Sequence, residues 1–230
     1  MRTIVHLSDL HFGKVDQALL APLRKLIDQL EPHVVVVSGD LSQRARSAEF
    51  LAARGYLDSL PGPQIVVPGN HDVPLYNIFS RFLTPLVTYQ RYVTDDLSPE
   101  YVDDEIAVLG INTARSLTFK DGRISHEQID ALRTRMAALP QGLTRVIVTH
   151  HPFDLPEHFD KDDLVDRAPQ ALQMFSECGV DLLLAGHLHA SVAGNTAERY
   201  SWNEDSADFE KVSTEAFALQ GGVWASLRPL

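Results

Sequence analysis

The chain has 230 residues, 44% of them hydrophobic and 22% charged, which suits one large α/β domain and excludes wholesale disorder. A formal charge of −11 at pH 7 repels polyanions, so nucleic acid is not an expected partner. The single cysteine, Cys178, excludes an intramolecular disulfide and any cysteine-based metal site.

Thr3 to Leu7 reads as a buried strand, and Ser8-Asp9-Leu10-His11-Phe12-Gly13 as the loop at its end. From Ala18 to Leu30, Leu19, Leu20, Leu23, Leu26, Ile27 and Leu30 share one helical face, and Pro32 stops that helix. Val34-Val35-Val36-Val37 is a continuous apolar run, as in a strand covered on both faces, and Ser38-Gly39-Asp40 ends it. The alternation repeats with a helix across 45–60, a strand at 64–68 and the loop Gly69-Asn70-His71-Asp72. This βαβαβ opening predicts a mostly parallel sheet with helices on its faces. Periodicity alone draws it as a single doubly wound sheet.

Residues 73–100 are rich in proline and aromatic residues and are expected to form short helices over the mouth of a site. A strand covers 106–113. Ser125 is a plausible N-cap, with Gln128 at the capping-box position, for a helix to about Leu139. Strands at 146–149 and 180–185 end in His150-His151-Pro152 and Gly186-His187-Leu188-His189, with a helix from Pro169 to Glu177 between them. The polar tail after Ser191 has β character near 216–219 and 222–224. The whole of 1–230 reads as a single domain, with a helical cap-like segment at about 73–100 and a short β tail at about 191–230.

The polar residues fall where the strands end. Parallel strands bring their carboxyl ends to one edge, where α/β sheets bind ligands. Asp9, His11, Asp40, Asn70, His150, His187 and His189 therefore converge. Asp, Asn and His without Cys suit borderline or hard divalent cations, and seven ligands are too many for one tetrahedral ion. With Asp40 as a bridge, each of two ions keeps open positions, the mark of a catalytic site. Gly39, Gly69 and Gly186 each precede a ligand at a sharp exit, where a missing Cβ permits φ > 0 and a close approach.

Asp9-x-His11, Gly39-Asp40, Gly69-Asn70-His71-Asp72, His150-His151-Pro152 and Gly186-His187-x-His189 resemble, in order, the five-part signature of calcineurin-like metallophosphoesterases. The nearest likeness is to bacterial single-domain members that include the class III cyclic-nucleotide phosphodiesterases. The resemblance implies a four-layer α/β/β/α sandwich with two facing mixed sheets. It assigns Asp9, His11, Asp40 and His189 to one ion, and Asp40, Asn70, His150 and His187 to the other. The metals it implies are Mn²⁺, Fe²⁺/Fe³⁺ or Zn²⁺. It makes His71 the general acid or transition-state donor, a role suited to histidine.

Two such ions, about 3.5–4 Å apart, hold a hydroxide for in-line attack on phosphorus. The expected substrate is a small-molecule phosphodiester such as a cyclic nucleotide or glycerophosphodiester. Alternatives are a phosphomonoesterase, a UDP-diacylglucosamine-type hydrolase (whose members usually carry Arg where His71 stands) and a non-catalytic metal-binding scaffold. Asn70, His71, Arg44 and His151 are candidate substrate contacts, with Arg115 a further candidate. Asp72 is expected either to orient the His71 ring or to stabilise its own loop as a turn carboxylate. His6 is expected to be a hydrogen-bonded core residue.

No apolar run is long enough for a bilayer and no leader is evident, so a cytoplasmic protein without membrane attachment is expected. Relatives of this kind continue past G-H-x-H with several strands. Here about forty residues follow, so a missing final strand and an exposed edge are expected, in a monomer or a homodimer.

Overall fold

The apolar runs become strands that send alternate side chains to two different layers. The computed structural model describes residues 1–75, 78–115, 122–155 and 163–189, with backbone only at 78–80 and in the strands beyond 189. The strands are β1 (Ile4–Leu7), β2 (Val34–Ser38), β3 (Gln64–Val67), β4 (Glu100–Val102), β5 (Ile106–Gly110), β6 (Thr144–Val148), β7 (Leu182–Ala185), β8 (Val192–Asn195), β9 (Ser201–Trp202), β10 (Phe209–Lys211), β11 (Phe217–Gln220) and β12 (Trp224–Ala225). The helices are α1 (Gln17–Leu30), α2 (Ser47–Leu57), α3 (Ile78–Leu83), α4 (Val87–Tyr92), α5 (His126–Ala138) and α6 (Ala168–Glu177).

One sheet has the order β12-β1-β2-β3, with β1, β2 and β3 parallel. The other has the order β4-β5-β6-β7-β11-β8, parallel from β5 to β11 with antiparallel strands at its two edges. Ile4, Val34, Val36, Ile65 and Val67 of the first sheet meet Ile106, Val108, Val146, Val148, Leu182 and Leu184 of the second in a dry layer. Val35 and Val37 point the other way, into a core shared with Ile27, Phe50 and Leu57 of α1 and α2. Leu109, Ile147 and Leu183 pack under α5 and α6. The architecture is thus α/β/β/α with two facing mixed sheets. The single doubly wound sheet drawn from periodicity is corrected. A valine run has the same pattern whether a helix or a second sheet covers its far face.

Three further local expectations change. Leu20, Leu23, Ile27 and Leu30 of α1 meet the core, but Leu19 and Leu26 are exposed at 62% and 46%. The apolar stripe is wider than the face that the sheet can cover. The segment 73–100 was expected over the mouth, yet α4 extends the outer helical layer. Tyr89 is fully buried, edge-on to Phe50 at 6.1 Å, with its hydroxyl donating to the Val66 carbonyl. The final strand is present: β12 pairs antiparallel with β1 and covers its edge, while β11 inserts beside β7.

Local signals held where chemistry is local. Ser125 Oγ accepts from Gln128 N–H at 3.2 Å, and Gln128 Oε1 accepts from Ser125 N–H at 3.0 Å, so the capping box starts α5. His6 is buried, with Nε2 2.7 Å from Ser38 Oγ. Among the described residues no helix is long and apolar enough to cross a membrane.

Candidate metal centre

The exits of β1, β2, β3, β6 and β7 open on one rim between the two sheets. Main-chain bonds lace them together: Asp9 N–H donates to the Gly39 carbonyl, His11 N–H to Asp40, and Gly186 N–H to His150. Among the described residues, eight non-glycine residues have positive φ, and five of them are candidate ligands: Asp9, His11, Asp40, His187 and His189. Left-handed backbone costs about 1–2 kcal/mol at such residues. Its concentration here marks strain held for a purpose. The glycines act differently from the expectation. Gly39 has φ +85°, but Gly69 has φ −107°, and Gly186 is not left-handed. A Cβ on Gly69 would fall 2.1 Å from Asp40 Oδ1, and one on Gly186 would fall 2.9 Å from Asp9 Oδ2. These two make room for carboxylates.

Asp40 sits at the middle and is almost wholly buried. Its Oδ1 accepts from His71 N–H at 2.8 Å. Its Oδ2 lies 3.7 Å from His11 Nε2 on one side and 3.4 Å from His150 Nε2 on the other. On the first side, His11 Nε2 is 3.4 Å from His189 Nε2, and His189 Nε2 is 3.7 Å from Asp9 Oδ1. On the second, Asn70 Oδ1 is 2.9 Å from His150 Nε2 and 3.1 Å from His187 Nδ1.

Donors bound to one divalent ion at about 2.0–2.2 Å stand roughly 3–3.5 Å from one another. Both groups fit that spacing closely enough to close on an ion with small adjustments. Several of these atoms are lone-pair donors aimed at each other, an arrangement that a cation relieves. The donor set of histidine nitrogens, carboxylates and one amide oxygen fits two divalent ions.

The tautomers suit metal binding. His150 Nδ1 is 2.8 Å from the Ser38 carbonyl and donates to it, which leaves Nε2 for a metal. His187 turns Nδ1 inward, and its Nε2 lies 3.7 Å from Asp163 Oδ1. Asp163 was not singled out in the sequence. Its only signal there is an acid in a charged loop. Burial and the neighbouring His150 push His187 down to about 4, so it is neutral and ready to ligate. For His150 burial pulls down, but the Asp40 carboxylate overrides it and lifts the imidazole to about 9. Burial raises the Asp40 carboxyl, yet His150, His71 and His11 together hold it below the usual range.

His71 joins Asp40 and His11 at the rim, its ring edge-on to His11 at 4.9 Å. Asp72 bonds to the loops and not to that ring, so of its two expected roles the structure shows loop stabilisation and corrects the orienting one. Its carboxylate accepts from Gly69 N–H, Leu41 N–H, Ser42 N–H and Ser42 Oγ–H at 2.8–3.2 Å, clamping the β2 and β3 exits. Burial and the Asp40 charge lift its carboxyl to about 6. The His71 ring instead bonds to Gln43, whose role no motif announces.

The sequence leaves His151 with two readings, a supporting structural role or a substrate contact. It is fully buried and turned toward the centre, its ring 4.8 Å from that of His187, with Nδ1 2.9 Å from Thr113 Oγ1. Its neighbour Gly122 has no Cβ because one would fall 2.3 Å from His151 Cγ. That makes His151 a packing partner of His187, not a substrate surface. Arg44 is exposed, and its guanidinium makes no hydrogen bond or ion pair with the described residues. Its main-chain N–H donates to Glu49 at 2.8 Å in the turn before α2. Arg115 is half-buried and donates to Gln128.

Residues 2–191 match the family profile described as calcineurin-like phosphoesterase. The glycerophosphodiester phosphodiesterase GpdQ of Enterobacter lignolyticus is 25% identical over 214 residues, covering 83% of this chain and 75% of that protein. A probable cyclic nucleotide phosphodiesterase of Synechococcus is 26% identical over 199 residues, covering 81% and 73%. Among solved structures, purple acid phosphatase PPD1 from yellow lupin has a TM-score of 0.67 at 14% identity, which speaks for the fold alone; it covers all of this chain and 46% of that one.

Proposed function

Because the chain belongs to the calcineurin-like phosphoesterases and is a metal-dependent hydrolase of phosphoric esters, we propose that its substrate is a small-molecule phosphodiester, a cyclic nucleotide or a glycerophosphodiester. The observation that carries this reading is the placing of Asp40 Oδ2 between His11 Nε2 and His150 Nε2, at 3.7 and 3.4 Å. One carboxylate oxygen thereby serves two ligand groups.

Two divalent ions (Mn²⁺, Fe or Zn²⁺) bound there would supply charge neutralisation at phosphorus and an activated water. Asp9, His11, Asp40 and His189 would hold one, and Asp40, Asn70, His150 and His187 the other. His71 stands at the open rim with Nδ1–H donating to the Gln43 carbonyl at 2.9 Å, so it is in the doubly protonated imidazolium that its other nitrogen, Nε2, carries a proton to pass to the departing ester oxygen. Asp163 behind His187 and the Ser38 carbonyl behind His150 keep both rings in register.

The test is turnover by the metal-loaded protein across bis(p-nitrophenyl) phosphate, p-nitrophenyl phosphate, cyclic nucleotides and glycerophosphodiesters. Faster turnover of diesters than of monoesters is expected. Activity confined to the monoester would move the protein to the phosphomonoesterases, and none on any of the four would overturn the reading.

A further inference from the structure

Three arginines gather at a strand exit that supplies no metal ligand. The exits of β1, β2, β3, β6 and β7 carry the candidate ligands, whereas the exit of β5 carries Asn112-Thr113-Ala114-Arg115. β5 runs parallel to β6 and next to it, so its exit opens on the same rim. Thr113 ties this exit to the centre. Its Oγ1 meets His151 Nδ1 at 2.9 Å, and its carbonyl accepts from Arg123 N–H at 2.9 Å. Gly122, the residue before Arg123, lies against the His151 ring, which in turn lies against His187. Arg123 therefore begins where the ligand shell ends.

Asp166 Oδ2 lies 3.3 Å from Arg123 Nε and 3.9 Å from Arg167 Nη1. Arg167 sits in left-handed backbone at φ 68° and donates to the Ile124 carbonyl at 2.9 Å. Arg115 rests on Gln128, the capping residue of α5. Burial first, then the nearby Arg123 and Arg167, lower its hold on its proton. All three arginines are half-buried, and the described acids beside them are Asp166 and Glu127.

Grouping three guanidiniums in a half-dry place is unfavourable on its own. The cluster is also conspicuous in a chain of formal charge −11. A planar, weakly hydrated fork of donors is the chemistry that grips phosphate. We propose that Arg115, Arg123 and Arg167 form a subsite for a second phosphate group carried by the substrate, beside the ester phosphate at the metal centre. The subsite rests on the phosphodiester reading and narrows it to small diesters, such as glycerophosphodiesters, whose alcohol bears a further phosphate; a simple cyclic nucleotide, with one phosphate, would leave it empty.

The test measures inhibition of bis(p-nitrophenyl) phosphate hydrolysis by the metal-loaded enzyme. Butylphosphonate is compared with straight-chain α,ω-bisphosphonates of increasing length, with metal in excess. At the best length the second phosphonate tightens inhibition about tenfold or more. Arg123→Ala and Arg167→Ala each remove most of that gain. Arg123→Lys keeps part of it, which separates a charged subsite from a folding defect. Equal inhibition by the mono- and bisphosphonates at every length overturns the subsite. So does a gain that survives both alanine variants, since chelation of the metals would then be its cause. If the wild-type protein hydrolyses no diester, the phosphodiester reading has failed, and calorimetry with the same phosphonates decides the subsite separately.

Discussion

The imidazole Nδ1 of His71 lies 2.9 Å from the main-chain carbonyl oxygen of Gln43, and the Gln43 carboxamide lies alongside at 3.2 Å. A carbonyl can only accept, so this contact fixes the proton on Nδ1 and turns the other ring nitrogen to the site. Removing the ring in His71→Ala is expected to lower kcat by about 10²–10⁴-fold, as for loss of a general acid. Both metals should stay bound, because the ring belongs to neither ligand group. Gln43→Ala should cost no more than about tenfold, because the main-chain acceptor remains. Steady-state kinetics with elemental analysis of the same samples checks both, and wild-type turnover in His71→Ala would remove the acid role.

Gly69 is constrained by space and not by its φ of −107°. In Gly69→Ala the new Cβ would fall 2.1 Å from Asp40 Oδ1 and 2.4 Å from Asp40 N. The carboxylate must move, and with it the bridge. The purified variant is expected to hold little of either metal and to lose about 1–3 kcal/mol of stability from overpacking. Metal content near two ions per chain would show that the loop yields instead.

The two ligand groups share Asp40 alone, which makes metal stoichiometry diagnostic. Asp40→Asn should empty both positions, since it weakens the one oxygen placed 3.7 Å from His11 and 3.4 Å from His150. His189 is on the first side only, and its side chain is 59% exposed. His189→Ala should therefore lose one ion and keep the other. Titration with Mn²⁺ followed by calorimetry reads the count directly.

His6, which is not itself a candidate ligand, offers a test of pH dependence. Burial pushes its imidazole down to about 4 against an ordinary 6.5. The unfolded chain thus binds a proton there between pH 6.5 and 4 that the folded chain refuses. Stability is fully present above pH 6.5 and falls as pH drops through that window, by roughly 3 kcal/mol in total. Thermal unfolding of wild type and His6→Gln from pH 7.5 to 4.5 measures it, and the variant should show the shallower slope. Parallel slopes would assign the acid sensitivity to other groups.

Much of the candidate site was legible in the amino-acid sequence because its chemistry is local. Apolar runs must end somewhere, and a ligand one or two residues past each end is visible without a structure. The seven candidate ligands Asp9, His11, Asp40, Asn70, His150, His187 and His189 are legible in that way, and the structure brings their side chains together. The Ser125–Gln128 capping box is equally local, since both partners lie within one turn of chain.

Other roles depend on which distant atoms end up adjacent. Whether Val34–Val37 meets a helix or a second sheet is decided by packing, because the period of two is the same in both cases. Asp72 serves the loops and not His71 because Gly69, Leu41 and Ser42 present their N–H groups to it first. Gln43 becomes the partner of His71, Asp163 that of His187, and His151 turns inward, through contacts spanning about 24 to 38 positions. The types of candidate ligand, their order and the strand ends that carry them are therefore set by the chain's local pattern. Packing selects which oxygen of Asp40 faces both groups, which nitrogens of His71, His150 and His187 turn to the site, and which exit gathers the arginines. Those choices are made by close packing and hydrogen-bond geometry between residues that sequence spacing does not relate.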